Sequence, residues 1–139
     1  MSIRLSPYLM FQDTAREAME FYRQIFGGEL AVNTFGEFGD QGASGSERVM
    51  HSELTTQHGF TLMAGDAPDV AEHLRAPGIS VNLTGDETDT LRRHWELLTA
   101  GGAVIKPLER QVWGDEFGIC TDRYGINWMI NICAPTDRA

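Results

Sequence analysis

Cysteine is nearly missing from this chain. Its 139 residues hold two, Cys120 and Cys133, and no CxxC pair. So few exclude a disulfide framework and read as reduced strand thiols in a cytoplasmic protein. Neither has the helix N-terminus or cationic neighbour that activates a nucleophilic thiol. Long apolar runs are missing too. Nothing approaches the ~20 apolar residues of a membrane span, and the opening MSIRLSPYLM lacks the apolar core of a signal peptide. Positive charge is scarce: 11 Lys and Arg stand against 20 Asp and Glu, a net charge of −9. Such a surface repels phosphate backbones and carries no basic stripe, so nucleic acid and anionic membranes are set aside as partners. The Gly-rich loop 36–47 has no P-loop Lys and no GxGxxG pattern, so it cradles no phosphate. It reads as a flap over a cleft or as a disordered loop.

What is present suggests one compact domain, 1–139, long enough to bury roughly two-thirds of its unfolded surface. Two helices stand out. The first begins at Thr14, where Thr14 and Glu17 have the spacing of a capping box. Ala15, Ala18, Met19, Tyr22, Ile25 and Phe26 then mark one apolar face, and Gly27–Gly28 stop the helix. The second begins near Asp86 to Thr88, with a stripe of Leu91, Trp95 and Leu98, and ends at Gly101–Gly102. Strand-like runs lie near 7–12, 29–35, 48–56, 60–65, 79–84, 103–108, 116–121 and 126–132.

The order is strand, helix, three strands, then the same again. Gly28 aligns with Gly102 at an offset of 74, and Gly59 with Gly125 at an offset of 66. The difference falls in the polar loop 36–47, where a duplicated fold tolerates insertion best. TQHGFTLMAGD (56–66) and DRYGINWMINI (122–132) then read as one hairpin in two copies, with Met63 and Met129 in the same place. Module 1 spans about 1–66, a linker 67–78, and module 2 about 79–133. The expected fold is α+β: two βαβββ modules forming a curved, mostly antiparallel eight-stranded sheet around a cleft, the kind of concave junction that small molecules occupy.

SPYLMF (6–11), EAMEFYRQIFGGEL (17–30), VMHSEL (49–54), LMAGDAP (62–68) and VWGDEFGICTDRYGINWMINI (112–132) together resemble the PhnB-like branch of the vicinal-oxygen-chelate superfamily. That superfamily includes glyoxalase I, extradiol dioxygenases, fosfomycin-resistance enzymes and bleomycin-binding proteins. Its members share a fold and differ in chemistry. In the metal-dependent ones, the resemblance implies, His, Gln or Glu ligands come from the first and last strand of each module. Here those places fall on Pro7, Ser80, Met63 and Met129, and a shift by one residue offers Tyr8, Val81 and Leu62 or Ala64. Thioether is a soft ligand, ill-suited to a hard or borderline divalent ion. No metal and no cofactor are therefore expected. The two Met side chains read as former ligand positions refilled with adaptable apolar groups, or as ordinary core.

His51 and Glu53 lie two apart on one strand and so share a face. They can serve as an acid–base pair, or His51 can be a half-buried strand residue bonded to backbone. Asp66 can offer a polar group at the cleft mouth or cap a turn. Trp113 can stack on a planar ligand or close the core. Of Trp128 and Met129, one packs under a helix and the other faces the cleft. His58, His73 and His94 read as solvated. No Gly-rich turn follows a first parallel strand, so the ubiquinone-pathway methyltransferase label attached to some PhnB-like sequences finds no support. The leading expectation is a metal-free cytoplasmic protein binding an apolar or aromatic small molecule through Met63, Ser80, Asn82, Trp113, Met129 and Asp66. Exposed sheet edges favour a homodimer. The alternative is an enzyme (lyase, isomerase or oxygenase) using His51 and Glu53, with or without a divalent metal.

Overall fold

In the computed structural model of the chain, residues 3–38, 47–71 and 78–134 are described. The chain divides into two compact units, Met1–Pro77 and Gly78–Ala139. The first runs β1 (Tyr8–Phe11), α1 (Ala15–Phe26), β2 (Glu29–Thr34), a 3₁₀ turn (Gly36–Phe38), β3 (Val49–Thr55), β4 (Thr61–Asp66) and a short α2 (Pro68–Ala71). The second runs β5 (Val81–Gly85), α3 (Thr88–Thr99), β6 (Ala103–Arg110), β7 (Glu116–Thr121) and β8 (Asn127–Ile132). All eight expected strands are present, and the class is α+β. They form two four-stranded sheets of matching order, β1-β4-β3-β2 and β5-β8-β7-β6. In each, the first and last strands of the module pair in parallel and the other neighbours are antiparallel. Helix α2 begins the segment expected as linker. Residues 72–77, with His73, and most of the expected flap, 39–46, lie outside the described residues.

Helix α1 buries Ala15, Ala18, Met19, Tyr22, Ile25 and Phe26, the stripe expected from spacing. It lies against β2, β3 and β4, and Leu54, Leu62 and Ala64 complete the core together with Leu9 and Phe11 of β1. Helix α3 buries Leu91, His94 and Leu98. His94 is therefore a core residue, because its ring falls on the inner face beside Leu91 and Leu98. Trp95 is only partly buried. Its ring lies so close to β7 that a Cβ at Gly118 would stand 2.8 Å from Trp95 Cη2.

The expected capping box does not form. Thr14 makes no side-chain capping bond. Instead Asp66, 51 residues away and buried, accepts a hydrogen bond from the Ala15 N–H at 3.0 Å through Oδ1. Its Oδ2 accepts from the Val49 N–H at 2.9 Å. One carboxylate thus ties the start of α1 to β3 and β4, and its charge suits a helix N-terminus. Asp66 caps the start of α1 rather than a turn, and both its oxygens are engaged on the helix side of the sheet.

The duplicated hairpin carries the same bonds twice. Gly59 N–H donates to Thr56 O at 3.0 Å and Gly125 N–H to Asp122 O at 3.0 Å. Thr56 N–H donates to Phe60 O at 2.9 Å and Asp122 N–H to Ile126 O at 2.8 Å. Gly59 and Gly125 adopt φ of 86° and 88°, left-handed values suited to Gly. A second repeated contact spans the loop of unequal length. A Cβ at Gly28 would stand 2.0 Å from Thr55 O, and one at Gly102 would stand 2.2 Å from Thr121 O. No side chain fits there without backbone movement.

Gly28→Ala and Gly102→Ala should each lower stability by about 3 kcal/mol through forced strain. Urea unfolding measures this, and ordinary midpoints for both variants would show that the close approach does not constrain the fold. Asp66→Ala should cost about 3 kcal/mol, because it leaves two buried N–H groups without their acceptor. Thr14→Ala should cost under about 0.5 kcal/mol, as a change that removes no capping bond.

Candidate functional site

Strand alternation sorts the candidates. In the first sheet Leu54, Leu62 and Ala64 point to the helix. Met63, Glu53 and Tyr8 therefore share the other face, where Met63 pairs with Tyr8 on one side and Glu53 on the other. His51 lies on that face two residues from Glu53, opposite Asn33 of β2. A hollow of about 370 Å³ opens there against β2 and β3, bounded by Glu29, Ala31, Asn33, His51, Glu53 and Thr55. Its lining is polar and acidic rather than apolar, and Met63 is not part of it.

Tyr8, which the sequence offers only as a shifted ligand position, reaches His51 from β1. Its Oη lies 3.1 Å from His51 Nδ1, and the two rings stack at 5.6 Å with 25° between their planes. Strand β4 runs between them, and the crossing occurs at Gly65. A Cβ at Gly65 would stand 3.1 Å from Tyr8 Oη and 2.8 Å from Met50 O. The register shift that pairs Asn33 with His51 but Thr34 with Val49 leaves Met50 as an extra residue. Bulges of this kind re-aim neighbouring side chains. Partial burial holds the Tyr8 phenol above its ordinary value, so it keeps its proton at neutral pH. Arg4 approaches Glu53 at 3.8 Å. Both partners are partly exposed, so the pair contributes under about 1 kcal/mol.

In the second sheet Trp128, Ile130 and Ile132 are buried. Trp128 is locked by its Nε1–H, which donates to Asp122 Oδ2 at 2.8 Å. Met129 thus points to the opposite face, between Asn82 of β5 and Ile119 of β7. Asn82 is exposed and donates to Thr84 Oγ1 at 2.6 Å. Ser80 precedes β5 and is partly buried. Trp113 sits in the β6–β7 turn, 54% exposed, with its ring 6.4 Å from Phe117. It is a surface aromatic and not a core plug.

Under the offsets of the duplication, Tyr8 corresponds to Asn82 and Met63 to Met129, while His51 corresponds to Phe117, Glu53 to Ile119 and Gly65 to Asn131. At the places of His51 and Glu53 one module carries titratable groups where the other carries apolar ones. The register therefore places Tyr8 and Asn82, rather than Pro7 and Ser80, beside the two Met side chains. Within the first sheet the pair is a phenol and a thioether, and within the second an amide and a thioether; neither is a pair of imidazole and carboxylate of the kind a divalent ion favours. Among the described residues, no three His, Cys, Asp or Glu side chains stand together as a ligand set.

Burial, and secondarily Asp122, push the Cys120 thiol up to about 11. At pH 8 Cys120 should resist a thiol reagent in the native protein and react on denaturation; native reaction at the rate of a free thiol would refute the burial. Because its folded value is the raised one, the stability Cys120 contributes is complete below the ordinary thiol value near 9 and is lost as pH rises toward 11.

A family model described as 3-demethylubiquinone-9 3-methyltransferase matches residues 3–131. The crystal structure of protein PA1353 from Pseudomonas aeruginosa is similar at 34% identity and a TM-score of 0.83, covering 96% of this chain and 100% of that one. The PhnB protein from Bacillus cereus is similar in fold, with 23% identity, a TM-score of 0.78, and 94% and 100% of the two chains covered. A glyoxylase/bleomycin resistance protein/dioxygenase domain from Frankia sp. EAN1pec shares the fold at 14% identity and a TM-score of 0.68, covering 98% of this chain and 95% of that one.

Proposed function

The chain belongs to the PhnB-like branch of the glyoxalase/bleomycin-resistance/dioxygenase superfamily, and from that membership we propose that it is a metal-free, cytoplasmic small-molecule-binding protein whose ligand is apolar or aromatic. One observation carries this reading. Met63 and Met129 hold equivalent positions on the helix-free faces of the two sheets, each fixed there by buried neighbours on both sides. Thioethers at such places favour adaptable apolar contact over ion ligation. Phe117, Ile119 and Trp113 extend the apolar surface of the second sheet, and Asn82 and Ser80 supply polar groups at its β5 side. On the first sheet His51 and Glu53 are the polar groups on the face that carries Met63. Asp66 is left out because its carboxylate is engaged beneath the sheet. A homodimer is the working form in this reading, supported by exposed Val104 and Ile105 on the edge strand β6.

A second reading is an enzyme of the lyase, isomerase or oxygenase kind. The contact between Tyr8 and His51, beside a hollow that also includes Glu53, favours it. A phenol and an imidazole in hydrogen-bond reach can exchange a proton with a bound group. Methyl transfer, named in the family's description, is not part of either reading. The β1–α1 connection is Gln12, Asp13 and Thr14, and the β5–α3 connection is Asp86 and Glu87. Neither is the Gly-rich turn that cradles a nucleotide-like cofactor at a helix N-terminus.

Protein purified without chelator should carry only trace divalent metal, and small aromatics should raise its melting temperature. A ligand at 100 times its Kd should add about 2.7 kcal/mol. Met63→Asp or Met129→Asp should weaken that binding by about tenfold or more, since a charge would face the ligand. One tightly held divalent ion per chain would overturn the metal-free reading. S-adenosylmethionine should give no stabilisation.

A further inference from the structure

We propose that Tyr8 is a positioning residue that holds His51 in its Nε2–H tautomer, so that the hollow on β2 and β3 selects an uncharged ligand bearing an acceptor oxygen. The inference rests on the small-molecule reading of this site and names the polar group of the ligand.

The geometry is specific. The sheet order β1-β4-β3-β2 puts Tyr8 on one flank of His51 and the hollow on the other. Only His51 Nδ1 meets Tyr8. The phenol keeps its proton, and we assign that O–H as the donor to Nδ1, the arrangement open to a neutral ring whose own proton sits on Nε2. Nδ1 then acts as acceptor, and the imidazole proton resides on Nε2. Two features make the contact possible. Gly65 leaves room for the phenol to cross β4, and the extra residue Met50 adjusts β3 immediately before His51.

The charged groups around the imidazole then set the ligand. Glu53 lies two residues along the same strand face, Glu29 stands on β2, and Arg4 approaches Glu53 at 3.8 Å. Two carboxylates against one partly exposed guanidinium repel an anionic ligand. A neutral group with an acceptor beside a donor answers both walls. Its oxygen accepts from His51 Nε2–H, and its N–H or O–H donates to Glu53. The two side chains leave β3 about 7 Å apart along the strand. A primary amide or hydroxy-ketone on an aromatic body has this chemistry.

The test uses the whole protein with ¹⁵N-labelled histidine at pH 8. Long-range nitrogen–proton spectra should show His51 with an unprotonated, hydrogen-bonded Nδ1 and a protonated Nε2. In Tyr8→Phe, with an unchanged urea midpoint, the Nδ1 signal should leave its hydrogen-bonded position and both tautomers should appear. Benzamide should then shift the His51 signals of the wild-type protein. Its affinity should fall on the order of fivefold in Tyr8→Phe, the scale of one hydrogen bond. A protonated Nδ1, or a tautomer indifferent to Tyr8→Phe, overturns the positioning role. Benzoate or benzylamine binding more tightly than benzamide, or no probe shifting His51, overturns the ligand class. Neither result touches the broader binding reading, which the stabilisation by apolar aromatics decides separately.

Discussion

Everything on the helix-free faces depends on alternation along β4 and β8. Leu62 and Ala64 are buried beneath α1, and Trp128 and Ile130 lie buried in the second unit. Residues between them have no choice but the opposite side. A slip of one residue would carry Met63 and Met129 into the core and bring Leu62 and Trp128 out. Each sheet carries its own lock against such a slip. In the first, Asp66 fastens the end of β4 to Ala15 and Val49. In the second, Asp122 holds the Trp128 indole at the mouth of the β7–β8 turn. Two carboxylates used inside the fold thus determine which side chains are available outside it.

Much of this frame is legible from spacing alone, because the features that reveal it are local. The stripe of α1 appears at its expected positions, and the eight strands fall within a few residues of their expected ranges. Gly28 and Gly102 mark the ends of both helical segments because a carbonyl lies where their Cβ would be. What spacing conceals are contacts between residues far apart in the chain. Thr14 and Glu17 form a plausible local cap, but Asp66 wins because it arrives pre-positioned at a strand end. His94 reads as solvated because a polar residue within a helix usually is, yet its place on the inner face buries it. Tyr8 escapes notice for a similar reason. Its partner is 43 residues away and is reached only because an intervening strand has a glycine at the crossing. No periodicity in the sequence announces such a bridge.

The duplication also separates frame from chemistry. Turns, close approaches and pairing order agree between the modules, often to a few tenths of an ångström. The helix-free faces do not agree. Tyr8, His51 and Glu53 occupy places that Asn82, Phe117 and Ile119 take in the other copy. Selection on a frame preserves what packs beneath the helices, and it leaves the opposite face open to change. Met63 and Met129 are the exception, since both copies keep the same residue there. A position shared by two faces that otherwise differ points to a need common to both, and flexible apolar contact is a need that does not depend on the neighbouring groups.

That contrast bears on how a superfamily with metal-dependent members could include a chain with this reading. The backbone positions remain, and within each sheet the strands still bring a first-strand and a last-strand residue side by side. Only the donor atoms differ. In the metal-free reading, an imidazole near those thioethers has no ion to orient it. It needs another partner to hold one tautomer, because a ring on an exposed face otherwise samples both. Tyr8 stands where that partner must be, with Gly65 clearing its path. In the proposed arrangement the hydrogen bond between Tyr8 and His51 does the orienting that a metal ion would do elsewhere.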